Sequence, residues 1–462
     1  MQIVERSIEG NQNKKTLFQV SALFLVSILL LGFTPMSFIS VTGALFSLYI
    51  FINLLFGFGE GVPVNLIIVF LACLQWILGP ILSYYTEINH PFYGMQVPEE
   101  DYFSFIVPGV VLFHLGLSLP ILDVKDLPKA AVLELQKVAS TKIKGAYYLI
   151  CIGFFASFIG AFVPPALFFF LYLVAQLKFI GAFYLYINPV RNNLVLYLVF
   201  TFLLLEVLAT AIFHDLILWA MFFLFIYTIK NKVSLKAKLI TVFIGFFLLL
   251  VLQTVKYQYR NIAWSNVSLS SYARTEIFFN KVLKTLLSPE QLFEAKANEM
   301  TITRLNQGWI ITRVMRYVPF AQPYAEGETV KNAFKAALLP RFISESKATA
   351  GGRENMLRFT GIDLQDGTSM NISLIGEGYG NYGKMGGVVF MFCIGVLYSL
   401  ILRFLFLRSR ENPTILFWIP FLFLQVVKAE TDLTTTFNYL VKATIVMGIV
   451  FFSFRKILKV DI

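Results

Sequence analysis

Residues 239–260 read LITVFIGFFLLLVLQTVKYQYR, an apolar run that becomes polar at about Tyr257. Similar apolar stretches recur through the chain before this run and return after Met385. A helix of about 20 apolar residues crosses the hydrocarbon core of a bilayer. The run therefore predicts a membrane helix that ends where a polar segment begins. We call that segment, residues 257–385, the island.

The composition of the whole chain supports a membrane protein. Hydrophobic residues make up 57% of the 462 residues and charged residues only 14%, with a mean hydropathy of +0.72. Charged residues form about a quarter of an ordinary soluble protein, so that class is excluded. The net charge of +11 is divided between short loops and the island, without a basic helix or tail, which argues against a nucleic-acid partner.

We predict an all-α polytopic membrane protein with about twelve transmembrane helices and a large, partly helical extracytoplasmic loop between helices 9 and 10. The predicted spans are residues 16–33, 39–57, 63–85, 103–121, 145–163, 164–186, 194–212, 213–230, 239–256, 386–407, 413–428 and 438–454. The chain is thereby divided into residues 1–256 with helices 1–9, residues 257–385 as the extracytoplasmic loop domain, and residues 386–462 with helices 10–12 and a cytoplasmic tail.

The distribution of positive charge in the short loops predicts the orientation, because Lys and Arg accumulate on the cytoplasmic side. One alternate set of loops and tails holds eighteen Lys and Arg residues, whereas the opposite set of short loops holds none. The exceptions, Lys428 and Lys442, lie at the outer ends of the last two spans, from which a long side chain can reach outward. Both termini are therefore predicted to be cytoplasmic and the island to lie outside.

The island is predicted to be folded. Helical patterns cover residues 278–287, 302–318 and 329–339, and Ser288-Pro289-Glu290-Gln291 has the residue types of a helix start. A Gly-rich stretch, residues 376–387, then leads into the tenth span.

Arginine is concentrated in the island. Its planar guanidinium group binds anionic oxygens through two hydrogen bonds and keeps its charge. The island holds eight of the fourteen arginines: Arg260, Arg274, Arg304, Arg313, Arg316, Arg341, Arg353 and Arg358. This concentration predicts contact with an anionic group such as phosphate.

Two groups of these arginines are candidates for anion binding. Arg341, Arg353 and Arg358 follow one another closely and are joined by glycines, which suits a pyrophosphate. The alternative is that they pair with acidic residues on a solvated surface, the candidates being Glu345, Glu354, Asp363 and Asp366. Arg313 and Arg316, three apart on a predicted helix, share a face, and either form a second anion contact or have a plain interfacial role.

Carboxylates supply candidates for acid–base chemistry. Glu377 lies between glycines just before the tenth span, where desolvation would raise its pKa and suit it to act as a general base. The alternative is a counter-ion for an arginine. His214-Asp215, Glu430 and Asp432 lie at outer turns, where they either face the same cavity or cap helices. Within the membrane, Lys178 and Glu206 predict a structural ion pair, with a transporter's proton relay as the alternative.

Several short motifs of the island resemble those of a known family. They are Pro340-Arg341-Phe342, Gly352-Arg353-Glu354, Thr368-Ser369-Met370 and the stretch GEGYGNYG at residues 376–383, which precedes a helix. Together with many spans and one large late outer loop, they resemble the O-antigen or capsule repeat-unit polymerases (Wzy type). The resemblance is best over residues 339–387 and rests on topology elsewhere. It implies a glycosyltransferase of the bacterial inner membrane, which moves a growing glycan from undecaprenyl pyrophosphate onto a new lipid-linked repeat unit on the outer face.

The resemblance also implies roles for individual residues. Arg341 and Arg353, with Arg358, would hold the pyrophosphate, and Glu377 would deprotonate the acceptor hydroxyl. Three aromatic residues would stack on sugar rings or anchor the island at the membrane surface: Trp309, Tyr379 and Tyr382.

Partners and alternatives follow from the same comparison. The implied partners are the undecaprenyl-pyrophosphate-linked oligosaccharide, membrane lipid and a chain-length regulator protein. No metal or other cofactor is expected, since the three histidines are scattered and the three cysteines lie in apolar spans. The alternative functions are an O-antigen ligase and a flippase for lipid-linked sugars. The island contains no histidine to act as a ligase-type base, and a flippase needs charges along a central cavity rather than a large outer domain.

Overall fold

The computed structural model describes residues 2–86, 92–231, 233–265, 270–292, 295–338, 352–365 and 368–462. Within these ranges the chain is helical, and the only β feature is an isolated bridge between Phe58 and Gly61. Nine helices in the described part of the chain are long and apolar enough to cross a membrane. The predicted fold class, an all-α polytopic membrane protein, is therefore confirmed.

Twelve helices lie in residues 2–265, with short 3-10 or π-helical segments between some of them. They are α1 (Gln2–Phe33), α2 (Phe38–Gly57), α3 (Val64–Ala72), α4 (Gly79–Tyr85), α5 (Glu99–Ser118), α6 (Leu127–Thr141), α7 (Ile143–Ile159), α8 (Pro165–Ala175), α9 (Leu177–Ile187), α10 (Asn193–Thr210), α11 (His214–Lys230) and α12 (Leu235–Ser265).

Eight helices follow. In the island they are α13 (Ser271–Leu287), α14 (Ala295–Leu305), α15 (Gly308–Tyr317), α16 (Glu328–Leu338) and α17 (Arg353–Thr360); α18 (Ser373–Ser409) begins in the island and runs beyond it, and α19 (Ile419–Phe423) and α20 (Leu433–Ser453) follow. The described part of the island is therefore folded, as its helical patterns predict. The pattern at 302–318 is divided between α14 and α15, where the backbone N–H of Gln307 donates to the carbonyl of Gln75 at 3.0 Å. The predicted helix start at Ser288 is instead a 3-10 turn, Pro289–Leu292.

Three of the predicted spans differ from the nine long apolar helices. The fifth corresponds to α7, which is bent by 80° from α6. The eighth corresponds to α11, a helix of 17 residues, which measures about 26 Å at 1.5 Å per residue. The eleventh begins as the short segment Pro413–Phe423, in which Pro413 and Pro420 supply no backbone N–H for a regular helix.

The two helices α5 and α18 touch through small residues. A Cβ at Gly395 would lie 2.6 Å from the carbonyl oxygen of Phe113, and a Cβ at Gly116 would meet the carbonyl of Phe392. The hydroxyl of Ser399 donates to the carbonyl of Leu117 at 2.8 Å. Small residues let transmembrane helices approach to backbone contact in this way. The contact fixes the island end of α18 beside the first turn of α5.

The Gly-rich stretch at 376–387 is helical and forms the first part of α18. A kink interrupts the helix at Gly383, whose φ of 68° and ψ of −166° lie where glycine is favoured. A Cβ at Gly380 would lie 2.8 Å from the ring of Phe359, and one at Gly378 would lie 2.7 Å from Phe390. The glycines of this stretch therefore make room for aromatic side chains and for a change of helix direction.

The predicted ion pair between Lys178 and Glu206 is confirmed. The ammonium nitrogen of Lys178 lies 3.1 Å from Glu206 Oε2 and donates to the hydroxyl of Ser157 at 2.8 Å. Lys178 is only 1% exposed. The pair joins α9 to α10, and mutual neutralisation suits a structural role better than a proton relay.

Contacts between connecting segments fall into two groups. In the first, island residues contact segments outside the island: Arg313 donates to Phe92 O at 2.8 Å and Arg274 to Ala209 O at 2.8 Å. Arg260 also donates to Ala211 O at 2.9 Å, so two arginines satisfy carbonyls at the end of α10. The second group joins pairs of segments that both lie outside the island. Lys142 donates to Asn412 at 2.8 Å, Lys238 donates to Phe58 O at 2.8 Å, and Lys129 pairs with Glu60 at 2.9 Å.

Candidate functional site

A cavity of about 490 Å³ lies where α5, α15 and α18 meet. It is lined by Val97, Asp101, Met315, Arg316, Phe320, Tyr379 and Lys384. Asp101 comes from the first turn of α5, and Tyr379 and Lys384 lie on either side of the kink in α18. Since α5 and α18 are candidate spans, the cavity lies at one end of two candidate membrane helices and is lined mostly by residues of the island.

Three charged side chains in this cavity have no charged partner in the described part of the chain. Asp101, Arg316 and Lys384 are exposed, and none of them lies within 4.0 Å of an oppositely charged group among the described residues. Lys384 donates a hydrogen bond to the hydroxyl of Ser104 at 2.5 Å. Charged groups that converge on a cavity without pairing are available to a charged, hydrogen-bonding ligand.

A second cavity of about 180 Å³ shares Arg316 with the first. It is lined by Gln96, Arg313, Arg316, Tyr317, Ala321 and Thr360. Arg313 is held in place by the carbonyl of Phe92 at 2.8 Å and by the Phe92 ring, 4.7 Å from its guanidinium carbon. Burial and the charge of Arg316 lower the pKa of Arg313. A bound anion would relieve the repulsion between the two arginines.

The sequence of α15 explains why these two arginines face the cavities. Ile310 and Val314 lie on one side of the helix and form a separate core of the island with Trp309, Met356 and Phe359. Residues three apart on a helix share a face, and Arg313 and Arg316 both line the smaller cavity. The prediction that they share a face is confirmed.

Trp309 is part of this core and is not an open platform for a sugar. It is only 3% exposed, and its ring contacts Phe92 at 5.6 Å and Tyr93 at 5.0 Å between centroids. The guanidinium group of Arg313 lies 5.7 Å from the same ring. Trp309 therefore positions Arg313.

The other two predicted aromatic residues differ in position. Tyr379 lines the larger cavity and packs edge-to-face against Phe105, with 5.2 Å between ring centroids. Tyr382 is 41% exposed and lines neither cavity. Its ring lies 6.0 Å from that of Phe390. Of the two, Tyr379 is the one placed to meet a ligand in the cavity.

The arginines of the second half of the island are paired where the structure describes them. Arg353 lies 3.2 Å from Asp363, and Arg358 lies 2.8 Å from Glu328. Neither lines the two cavities. The contact with Arg358 lowers the pKa of Glu328. Arg341, the third predicted pyrophosphate ligand, lies outside the described residues.

Glu377 is fully buried at the centre of a hydrogen-bond network that joins α16, α18 and α20. Its Oε1 accepts from the hydroxyl of Thr329 at 2.7 Å, and its Oε2 accepts from the backbone N–H of Leu433 at 2.8 Å. Asn381, one turn later on α18, donates to Thr329 Oγ1 at 2.7 Å and accepts from the N–H of Gly327 at 3.0 Å. Both carboxylate oxygens of Glu377 are thus engaged in holding three helices together.

Glu377 and Tyr379 lie on opposite faces of α18. Two residues along a helix correspond to a rotation of about 200° at 3.6 residues per turn. Tyr379 accordingly lines the cavity beside α5, whereas Glu377 contacts α16 and the start of α20.

The polar residues of the turns that are predicted to lie outside form helix caps and ion pairs. Asp432 accepts from the N–H of Thr435 at 2.9 Å and caps α20, while Lys428 lies 3.2 Å from Asp215 and His214 lies 3.1 Å from Glu430. Burial disfavours ionised Glu430, but His214 and Lys428 outweigh it and lower the pKa of Glu430 to about 2.

One known protein family matches the part of the chain that holds most residues of this site. A family described as a domain of unknown function (DUF8712) matches residues 109–404, which is more than half of the chain. The chain belongs to this family. The DUF8712 match includes the island and the cavity residues Arg316, Tyr379 and Lys384, together with Arg313. No curated protein and no solved structure matches the chain.

Two charged residues of the cavity in this DUF8712 protein are absent from the sequence-based candidates. Asp101 ends the acidic run Glu99-Glu100-Asp101, directly before an apolar span, and Lys384 follows the glycines before the tenth span. A charged residue at the edge of a predicted span on the island's side is the signal that marks both. That signal also marks many residues that only anchor a helix.

We expect Glu377→Gln to lower the stability of this DUF8712 protein. A glutamine keeps one acceptor oxygen, so either Thr329 or the Leu433 N–H loses its partner, and an unsatisfied buried donor costs about 1–3 kcal/mol. Thermal unfolding of the detergent-solubilised protein measures the loss, with Glu354→Gln, a change at an exposed residue, as the control. Equal melting temperatures for the two variants would contradict the role of Glu377 as a joint between helices.

Proposed function

We propose that this protein is a membrane glycosyltransferase that polymerises undecaprenyl-pyrophosphate-linked oligosaccharide repeat units into O-antigen or capsule. One observation carries the proposal: Asp101, Arg316 and Lys384 line one cavity at the end of two candidate spans and are not paired with each other or with other described charges. A lipid-linked pyrophosphate has its charged group at this depth, where the hydrocarbon core ends. The resemblance of residues 339–387 to the repeat-unit polymerases gives the class of reaction.

The cavity suits the departure of a pyrophosphate. As the bond between the sugar C1 and the phosphate oxygen breaks, negative charge grows on the leaving group, and cations beside it stabilise that charge. Arg316 and Lys384 supply these cations in the larger cavity, and Arg313 adds a third through the shared wall. Tyr379 and Phe320 offer apolar surface to the sugar or to the first units of the lipid.

The proposed membrane arrangement has twelve crossings, with the island outside the inner membrane and both termini in the cytoplasm. The positive-inside distribution of Lys and Arg supports it. Contacts between segments support it too, because described island residues contact segments assigned to their own side, such as those of Phe92 and Ala209. On the cytoplasmic side, likewise, each lysine contacts a partner assigned to that same side. These lysines are Lys142, Lys238 and Lys129.

The residues assigned by resemblance remain part of the proposal. Arg341, Arg353 and Arg358 would form a second anion contact, with Arg353 and Arg358 exchanging their present acidic partners for phosphate. Glu377 would act as a base only if the network with Thr329 and Leu433 opened. A chain-length regulator and membrane lipid complete the proposed partners.

The ligase and flippase alternatives predict different behaviour. A ligase would use the same type of cavity for one lipid-linked pyrophosphate but would transfer finished polymer to another acceptor. A flippase needs charges along its path through the membrane, whereas Lys178, buried between α9 and α10, is paired with Glu206. The large folded island also favours an enzyme.

Surface polysaccharide from the host after deletion of this gene tests the function. A polymerase predicts loss of the ladder of chain lengths on a gel, with a single repeat unit left on the final acceptor. A ligase predicts loss of all glycan from the acceptor while lipid-linked polymer persists. An unchanged ladder in the deletion strain would overturn the proposal.

A further inference from the structure

The larger cavity contains one carboxylate and two cations, and only the cations have a role in holding the leaving pyrophosphate. Asp101 is exposed within this cavity and forms no ion pair with a described residue. Its backbone carbonyl accepts a hydrogen bond from the hydroxyl of Ser104 at 3.0 Å. Its carboxylate oxygens accept none from the described residues and are therefore available to a ligand.

We propose that Asp101 accepts the proton of the acceptor hydroxyl in the glycosyl transfer. This inference rests on the proposed function. The acceptor oxygen forms the new bond to C1 of the donor sugar as its proton moves to the Asp101 carboxylate. The bond between C1 and the pyrophosphate oxygen breaks, and its electron pair leaves with the lipid pyrophosphate beside Arg316 and Lys384.

The position of Asp101 separates it from the other acids near the island. Glu377 is buried, with both carboxylate oxygens accepting hydrogen bonds, and Asp432 caps α20. Glu328 and Asp363 are engaged by Arg358 and Arg353. Among the described residues that line the two cavities, Asp101 is the only acid, and it faces the same space as Tyr379, Arg316 and Lys384.

The arrangement also explains why an acid can remain in a site for an anion. The first turn of α5 carries the positive end of the helix dipole, which favours a negative side chain there. Lys384 is fixed by Ser104, one turn after Asp101 on the same helix. Arg316 thus comes from α15, whereas the Asp101 carboxylate and the ammonium group held by Ser104 both lie at the start of α5.

Initial rates of ladder formation by the purified protein test the role of Asp101. The substrate is lipid-linked repeat unit extracted from the strain that lacks this gene. We expect Asp101→Asn to lower the rate about 100-fold or more, since general-base catalysis contributes about that factor, and Asp101→Glu to recover part of it. Glu100→Gln changes the adjacent exposed acid in the same helical turn and should leave the rate near that of the natural protein.

A binding measurement separates catalysis from structure. Undecaprenyl pyrophosphate alone should raise the melting temperature of Asp101→Asn at least as much as that of the natural protein, because Arg316 and Lys384 remain. Loss of this protection, or a rate within a few-fold of normal, would overturn the role of Asp101. Failure of the natural protein itself to extend the repeat unit would instead overturn the proposed function.

Discussion

Gly395→Ala should strongly destabilise the folded protein, and Gly116→Ala should do the same. The added methyl group at Gly395 would lie 2.6 Å from the carbonyl oxygen of Phe113 and 3.0 Å from the N–H nitrogen of Leu117. Both are backbone atoms of α5, so the clash is relieved only if α5 and α18 move apart. Overpacking of this kind costs about 1–3 kcal/mol or more, a large part of a total stability of about 5–15 kcal/mol.

The same substitution elsewhere provides the control. Gly448 lies in α20, and a Cβ added there would have no atom of the described chain within 4 Å. Because alanine favours a helix over glycine by about 1 kcal/mol, Gly448→Ala should leave stability unchanged or raise it. The melting temperature and the gel-filtration profile in detergent measure the stability of the Gly395→Ala and Gly448→Ala proteins. A Gly395→Ala protein that melts as high as Gly448→Ala would show that α5 and α18 do not touch.

Much of the fold follows from local sequence patterns. The apolar runs predict the long helices, and the loss of hydropathy after residue 256 marks the island. Arg313 and Arg316 are three residues apart, which places them on one face wherever α15 lies. Lys178 and Glu206 attract each other because a charge within the membrane needs a partner. These features could be predicted because each depends on residues close together in the sequence, or on a buried charge for which a single partner is at hand.

The site depends on distant residues and could be predicted only in part. Arg353 and Arg316 look equally available in the sequence, yet Arg353 meets Asp363 and Arg316 meets no acid among the described residues. That difference arises from tertiary packing. The glycines of residues 376–383 fit a ligand loop and close helix packing equally well by composition. Only the positions of the rings of Phe359 and Phe390 decide between these two uses.

Arg316→Ala should abolish polymerisation. Arg316 lines both cavities and is not ion-paired in the described part of the chain, so its removal leaves the developing charge of the pyrophosphate without its central cation. Loss of one fixed donor to a developing negative charge lowers the rate by about 10²–10³-fold. Lys384→Ala should have a similar effect, and the double variant should show no ladder. Arg316→Lys should restore only part of the rate, because an ammonium group lacks the planar fork that binds two oxygens.

Matched variants exclude a general effect of lost positive charge. Arg408→Ala removes an arginine that pairs with the exposed Glu411, and Lys331→Ala removes an exposed lysine of α16. Both should support normal ladders. Arg316→Ala and Lys384→Ala should have the melting temperature of the natural protein, since neither residue contacts a charged group of the described chain, and so should the two controls, since Lys331 is exposed and the pair of Arg408 with Glu411 is exposed. Arg353→Ala in the same experiment tests the pyrophosphate contact implied by resemblance. If Arg353→Ala abolished the ladder while Arg316→Ala left it intact, the anion would lie at the end of α17 and not in the cavity between α5, α15 and α18.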